Sequence, residues 1–110
     1  MKAFSLALEY FTISSAPRFK GIARICLVDQ DGRRVLDTFI KPIEIAEGDK
    51  IQVKDPQKMV LIDFARDHAP KLKEVVKVLR YLVEDRDLVG YHLPLKLSDL
   101  GIDFAQSVQF

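Results

Sequence analysis

The chain has 110 residues, of which 48% are apolar and 30% are charged, a composition typical of a folded domain and not of a disordered segment. Its 17 basic and 16 acidic residues leave a formal net charge of +1, so the chain as a whole does not attract nucleic acid, and any such affinity needs a local cationic patch. The single cysteine, Cys26, excludes an internal disulfide and favours a reducing compartment, nuclear or cytoplasmic.

No apolar run approaches the roughly 18 residues that a membrane helix needs, and Glu9 interrupts the short apolar run behind Lys2. We therefore expect an intracellular protein with no membrane span and no secretory signal. The length suits a single domain covering residues 1–110.

The pattern of residues 3–11 predicts a central β-strand. Small side chains and large apolar ones alternate along it, so the two sets point to opposite faces of a sheet. The small set is Ala3, Ser5, Ala7 and Glu9, and the large set is Phe4, Leu6, Leu8 and Tyr10. Because both faces are mostly apolar, we expect the sheet to be covered on both sides.

Two further strands complete a predicted antiparallel meander. Residues 12–20 are polar and contain Pro17, which favours a loop, and a second strand is predicted over residues 21–29. A turn follows in which Gly32 supplies the positive φ that such turns need. The third strand is predicted over residues 34–41, ending at a proline.

Helices dominate the prediction for the second half. Residues 43–55 predict a loop with a short strand at 50–53, and Asp55 then serves as an N-cap ahead of Pro56 for a helix over 59–65. Residues 70–85 predict the clearest helix, because apolar residues recur at spacings of three and four. Those residues are Leu72, Val75, Val76, Leu79, Leu82 and Val83.

A short strand is predicted at residues 87–91, and a strand that follows a crossover helix should run parallel to an earlier strand. A short helix from Pro94, with Gly101 as its C-cap, and an edge strand at 107–110 complete the pattern. This order of elements is that of the α/β ribonuclease H-like fold: three antiparallel strands, then a helix, a parallel strand, a second helix and a further strand. We expect that fold here.

Two stretches resemble the DEDD-type (DnaQ-like) RNA 3′–5′ exonucleases, and are closest to the RNA exonuclease 4 and interferon-stimulated exonuclease branch. The first contains ARICLVD at 23–29, Gly32, and VLDTFIKP at 35–42, which is similar to the family's second and third strands. The second is DLVGYHL at 87–93 with Leu97 and Leu100, which is similar to the strand and helix of the family's second acidic motif. The resemblance covers most of the chain, and the motif at 35–42 is its most specific part.

The resemblance implies two-metal phosphodiester hydrolysis, with two divalent ions about 4 Å apart held by four acidic residues. This chain departs from that pattern. If Glu9 matches the glutamate of the first strand, Ala7 stands where the aspartate should be; a one-residue shift places Leu8 and Tyr10 at the acidic positions. The third acid falls at Lys96, and the fourth motif would lie beyond Phe110.

At most one of the four metal ligands is thus retained, so we expect no bound Mg²⁺, no other cofactor and no hydrolysis. Glu9 and Lys96 would face each other across the former metal site, and we expect them to form an ion pair there. The alternative is two unrelated surface charges.

Other chemistry-bearing residues have ordinary explanations. We expect His92 to be a loop residue at a helix start, His68 to be a capping or surface residue, and Cys26 to be an inert core residue. The cations Lys73, Lys77 and Arg80 line one helix face and could contact phosphates, but a solvated face is the favoured interpretation because acidic residues interrupt the row.

The leading functional prediction is a catalytically inactive exonuclease-like module that serves protein–protein assembly, by dimerisation or as a scaffold, in an RNA-processing or nucleic-acid-associated complex. A complete exonuclease domain continues with helices that cover one sheet face, so a homodimer mate, a partner protein or further chain should cover that face here. The alternatives are an RNA- or single-stranded DNA-binding remnant, and a fragment of an active Mg²⁺-dependent exonuclease.

Overall fold

The computed structural model describes residues 3–42, 47–53, 55–83, 87–89, 98 and 100. Within these ranges the fold is α/β, with an open sheet and two helices. The strands are β1 Ala3–Ile13, β2 Ala16–Val28, β3 Arg34–Phe39, β4 Ile51–Gln52 and β5 Asp87–Val89, and the helices are α1 Pro56–His68 and α2 Leu72–Val83.

β1 is the central strand of the sheet. β2 pairs antiparallel with one edge of β1, and β3 pairs antiparallel with the outer edge of β2, so the predicted antiparallel meander is confirmed. At the other edge of β1, β4 pairs antiparallel with Thr12 and Ile13, and β5 pairs in parallel over Ala3 to Ser5. Assignment to the ribonuclease H-like fold stays a prediction.

The loop predicted at residues 12–20 is wrong, because β1 and β2 form a long hairpin with a two-residue turn at Ser14 and Ser15. The Asp49 carboxylate accepts hydrogen bonds from Ser14 Oγ at 3.3 Å and from the Ser15 backbone N–H at 3.2 Å. The Lys50 N–H donates to Ser14 Oγ at 3.0 Å. Ser14 and Ser15, two of the polar residues that favoured a loop, therefore form a tight turn that is held by a distant segment.

The main core lies between α2 and one face of the sheet. The large side chains that alternate along β1 point to this face, as predicted, and they meet the apolar stripe of α2. The buried members of this core are Phe4, Leu6, Ile22, Ile25, Leu27, Ile40, Val75, Leu79, Val83, Leu88 and Leu100.

α2 begins at Leu72, two residues after the predicted start at Pro70. The Pro70 carbonyl instead accepts a hydrogen bond from the Lys41 N–H at 2.8 Å, which ties this segment to the end of the meander. The Lys71 carbonyl accepts the first helical bond, from the Val75 N–H at 3.2 Å.

A second, smaller core lies on the opposite face of the sheet, under α1. Phe11 alternates with Tyr10 along β1, so it points away from the main core and packs with Ala23, Ile51 and Ile62. The predicted start of α1 is confirmed. Asp55 caps the helix by accepting a hydrogen bond from the Gln57 N–H at 3.0 Å, and Pro56 follows at the first helical position.

The N-terminal half of this opposite face carries no helix among the described residues. We call this surface the bare face, and it comprises Ser5, Ala7, Cys26, Val28 and Val35. Ser5 and Ala7 are exposed, so the described part of the chain does not cover both sides of the sheet as predicted. The expectation that Cys26 lies in the core is wrong, because Cys26 alternates with the buried Ile25 and Leu27 and is only half-buried on the bare face.

The turn between β2 and β3 follows its prediction. Gly32 has φ +80°, and the Asp29 carboxylate accepts hydrogen bonds from the N–H groups of Asp31 and Arg33, each at 2.9 Å. β3 itself ends at Phe39, two residues earlier than predicted. The predicted helix from Pro94, its C-cap and the strand at 107–110 lie outside the described residues, except for Ser98 and the buried Leu100.

Gly21 is required by the close approach of the Phe11 ring, since a Cβ atom at Gly21 would overlap that ring. Substituting Gly21→Ala should lower the free energy of unfolding by about 1–3 kcal/mol, because the smaller core under α1 has to shift. Urea unfolding measures this change. The same substitution in a Phe11→Leu background should cost less than half as much, and an equal cost in both backgrounds would contradict the overlap.

Candidate functional site

Glu9 is the one predicted metal-ligand position that keeps a carboxylate, and two cations hold it. Glu9 lies on β1, on the face that also carries Ala7 and Phe11. Lys58 of α1 places Nζ 2.9 Å from Glu9 Oε1, and Arg24 of β2, directly opposite in the sheet register, places Nη1 3.5 Å from Glu9 Oε2. Both carboxylate oxygens of Glu9 therefore have a cationic partner.

Arg24 extends this contact into a network across three strands. Its Nε and Nη2 donate to the two carboxylate oxygens of Asp37 on β3, at 2.7 and 2.6 Å, in the bidentate geometry that suits a guanidinium. Arg34 Nη1 donates to the same carboxylate at 2.9 Å. The Arg24 guanidinium also lies 5.4 Å from the centre of the Phe39 ring, within the range of a cation–π contact.

The charges of the network reinforce one another. The hydrogen bond from Lys58 is the main cause that lowers the pKa of Glu9; burial opposes it, and the coulombic effects of Lys58 and Arg24 add to the lowering. The hydrogen bond from Arg24 lowers the pKa of Asp37, and Asp37 in turn raises the pKa of Arg24. Glu9 likewise raises the pKa of Lys58. Both carboxylates are thus held in the ionised form at neutral pH.

This arrangement disfavours metal binding at Glu9 on chemical grounds. A hard divalent cation needs several oxygen ligands, and coordination by Glu9 would have to displace Lys58 and Arg24. Ala7, at the neighbouring position of the same face, offers no side-chain oxygen. Among the residues that the structure describes, no three His, Cys, Asp or Glu side chains are grouped closely enough to hold a metal ion.

The predicted Glu9–Lys96 ion pair falls on a residue outside the described ranges, so it stays a prediction. The cations that contact Glu9 in the described ranges are Lys58 and Arg24, and neither was predicted from the sequence. The Asp55-Pro56 start signal was available, and it places Lys58 in the first turn of a helix. No local signal placed Arg24 opposite Glu9, because the register of β2 on β1 depends on the two-residue turn that the sequence did not predict.

The three cations Lys73, Lys77 and Arg80 are all exposed on α2. They lie on the helix that covers the other face of the sheet, so the structure does not bring them together with Glu9. The sequence prediction overlooked Tyr81 beside them, a residue that is 78% exposed. A nucleic-acid contact at these residues stays a prediction.

An exposed apolar ridge runs along α1, and the sequence pattern did not reveal it. We define the α1 ridge as Val60, Leu61 and Phe64, which are 70%, 43% and 61% exposed. His68 is exposed at the end of the ridge, as predicted for a surface residue, and its ring stacks on Phe64 at a centroid distance of 4.1 Å. Val60, Leu61 and Phe64 fall within the helix predicted over 59–65, but only Ile62 and Ala65 of α1 are buried.

The α1 ridge borders the ion-pair network. A cavity of about 70 Å³ lies between Leu61 on the helix and Arg24 and Phe39 on the sheet. A shallower groove of about 450 Å³ lies at the far end of β1, between Tyr10, Val53 and the Lys58 side chain. The exposed apolar surface of α1 therefore continues onto the sheet.

Comparison of the chain with protein-family models and with curated proteins finds no match in either. The exonuclease resemblance accordingly depends on the residues described above. Neither helix in the described part of the chain has the length and apolar character that a membrane crossing requires.

Proposed function

We propose that this chain is an exonuclease-like module of the ribonuclease H-like fold that does not hydrolyse phosphodiesters and that serves protein–protein assembly. The observation that carries the proposal is the exposed α1 ridge beside a carboxylate held by two cations. The exonuclease resemblance suggests an RNA-processing or nucleic-acid-associated complex as the setting.

The strand order is consistent with this fold. The elements occur in the order expected from the sequence: an antiparallel meander, a helix that covers one face, and a short parallel strand beside β1. The motif at residues 35–42 lies on β3 and the segment after it, and Asp37 from that motif takes part in the ion-pair network.

The chemistry around Glu9 supports a non-hydrolytic role. Two-metal hydrolysis needs several oxygen ligands around adjacent divalent ions. At the corresponding face of β1, one carboxylate is neutralised by Lys58 at 2.9 Å and Arg24 at 3.5 Å, and the neighbouring position is Ala7. Ion pairs thus take the place that metal ligands would need.

The α1 ridge supports the assembly role. Apolar side chains scattered singly over a surface are ordinary, but adjacent ones on one helix face form a patch of the kind that partners cover. Val60, Leu61 and Phe64 lie within one turn of α1 and are each more than two-fifths exposed. Their burial by a partner would remove apolar surface from water, which is the main driving force of association.

Purified chain should degrade neither RNA nor single-stranded DNA in Mg²⁺ or Mn²⁺, because Glu9 is neutralised and lacks companion carboxylates. Gel or fluorescence assays of labelled oligonucleotides measure this, with the Glu9→Gln variant alongside. Metal-dependent degradation that disappears in Glu9→Gln would overturn the non-hydrolytic role. Equal traces in both preparations would indicate a contaminating nuclease.

A photo-crosslinking amino acid at Phe64 should capture a protein in cells, because the α1 ridge is the proposed contact surface. The matched control places the same amino acid at Tyr81, an even more exposed aromatic position on α2. Mass spectrometry identifies the captured chain, which includes a second copy of this one. Equal crosslinking at the two positions, or none at Phe64, would count against the assembly role of the ridge.

A further inference from the structure

We propose that the outer face of α2 binds single-stranded nucleic acid, with phosphates on its cations and an unpaired base stacked on Tyr81. This binding goes beyond the assembly role and does not depend on it, because α2 and the α1 ridge lie on opposite sides of the sheet. We define the outer face as the exposed residues of α2, which are Lys73, Glu74, Lys77, Val78, Arg80 and Tyr81.

The cations of the outer face have no carboxylate partner in the described part of the chain. Lys73, Lys77 and Arg80 take part in none of the ion pairs found there, and Glu74 forms none with them. Three cations and one carboxylate give this face a formal charge of +2, which exceeds the +1 of the whole chain. These cations are therefore available to an anionic ligand.

The helix α1 does not share this imbalance. Its Lys58 is paired with Glu9 at 2.9 Å, and its Arg66 is paired with Asp63 at 3.5 Å. Asp67 adds a second carboxylate, so the cations of α1 are matched in number and already engaged. Of the two described helices, α2 is the one that can attract a polyanion.

The cationic surface continues at the N-terminal end of α2. Lys71 is exposed directly before the helix, and the backbone N–H of Lys41 donates to the Pro70 carbonyl at 2.8 Å, which brings the exposed Lys41 to the same end. The N-terminus of a helix also carries a partial positive charge. Two acidic residues, at positions 84 and 85, follow the helix in the sequence. A bound strand should therefore run from Tyr81 toward the N-terminal end of the helix.

The spacing along α2 suits a polymer of phosphates. Lys73, Lys77 and Tyr81 follow one another at intervals of four residues, so they share one side of the helix and are separated by about 6 Å along its axis. Successive phosphates of an extended strand have a similar separation. Glu74 belongs to the neighbouring row, four residues before Val78, so it does not interrupt the row of the two lysines.

Tyr81 supplies the aromatic surface of the proposed site. It is 78% exposed, the largest exposure of any large hydrophobic residue in the described ranges, and Val78, three residues earlier, is 48% exposed. Proteins that hold single strands without sequence preference combine aromatic rings for the bases with cations for the backbone. A duplex keeps its bases stacked on one another, so the exposed ring favours a single strand.

An anionic membrane surface is the less favourable ligand. A helix that lies in a membrane surface buries an apolar face there. The apolar stripe of α2 is already buried in the main core through Val75, Leu79 and Val83. The outer face offers only Val78 and Tyr81 as apolar residues, so it suits a flexible polyanion that carries aromatic bases.

Fluorescence anisotropy of a short labelled oligouridylate, measured at several salt concentrations, tests the phosphate contacts. The logarithm of the association constant should fall with the logarithm of the salt concentration with a slope of about −2, as expected for three phosphate contacts. The double variant Lys73→Ala/Lys77→Ala should raise the dissociation constant roughly tenfold and reduce the slope by about 1.4 in magnitude. Lys50→Ala, at an exposed lysine beside the hairpin turn, is the matched control and should change neither value.

The stacking contact is tested separately with Tyr81→Ala. This variant should raise the dissociation constant roughly tenfold and leave the salt slope unchanged, because it removes a base contact and no charge. Phe64→Ala, at the exposed aromatic position on α1, is the control and should have no effect. Alanine is the best helix former, so the variants on both helices should fold, and circular dichroism checks this.

Four results would overturn the proposal. The first is no binding of the oligouridylate even at low salt, and the second is binding that Lys73→Ala/Lys77→Ala leaves intact. The third is binding that Tyr81→Ala leaves intact and that is equally tight for the same oligonucleotide annealed to its complement, since charge alone would then explain it. The fourth is sedimentation of the chain with vesicles that contain phosphatidylserine, without any binding of the oligouridylate, which would assign the outer face to anionic lipid.

Discussion

Backbone pairing along both edges of β1 determines where the other elements lie. β2 occupies one edge of β1, and β4 and β5 share the other. Strand pairing alone therefore sets the position of β1 in the sheet, without any contribution from the helices. Alternation along β1 then sends Leu6 to the core under α2 and Phe11 to the core under α1. Glu9 shares its face with Phe11, and the docking of α1 on Phe11 is therefore what brings Lys58 to the Glu9 carboxylate.

The main effect of the ion-pair network is to give the Glu9 and Asp37 carboxylates cationic partners. Its contribution to the stability of the fold is smaller. Its members are partly exposed, and exposed ion pairs add little to stability because water screens them. Arg24 has the central position because its planar guanidinium contacts two carboxylates and the face of an aromatic ring at once. On the same sheet face, a chain with more carboxylates would carry a hard-cation site. Here the cations beside Glu9 are the side chains of Lys58 and Arg24.

Local chemistry in the sequence predicted the elements whose signals are local. Four such predictions are confirmed: the alternation along β1, the apolar stripe of α2, the positive φ of Gly32 and the Asp55 N-cap of α1. The antiparallel pairing of β1 and β2 was predicted, but their two-residue turn was not, because the turn at Ser14 is held by Asp49, which is far away in sequence. The same limit applies to the candidate site, where Glu9 was found but its partners were not. Those partners depend on a strand register that shifts beside Glu9 and on the docking of a helix.

The parallel pair of β1 and β5 has a consequence for how the chain is made. It joins the first described strand to the last one, so forming it closes a long loop. The entropy lost in closing that loop precedes any favourable contact, and this pairing is therefore a late step in folding. The β1–β2 hairpin, whose partners are near in sequence, can form much earlier. The contacts of Phe4 and Leu6 with Leu88 therefore cannot form until β5 has left the ribosome. Until α2 and β5 are available, the hairpin exposes the apolar face that carries Phe4 and Leu6.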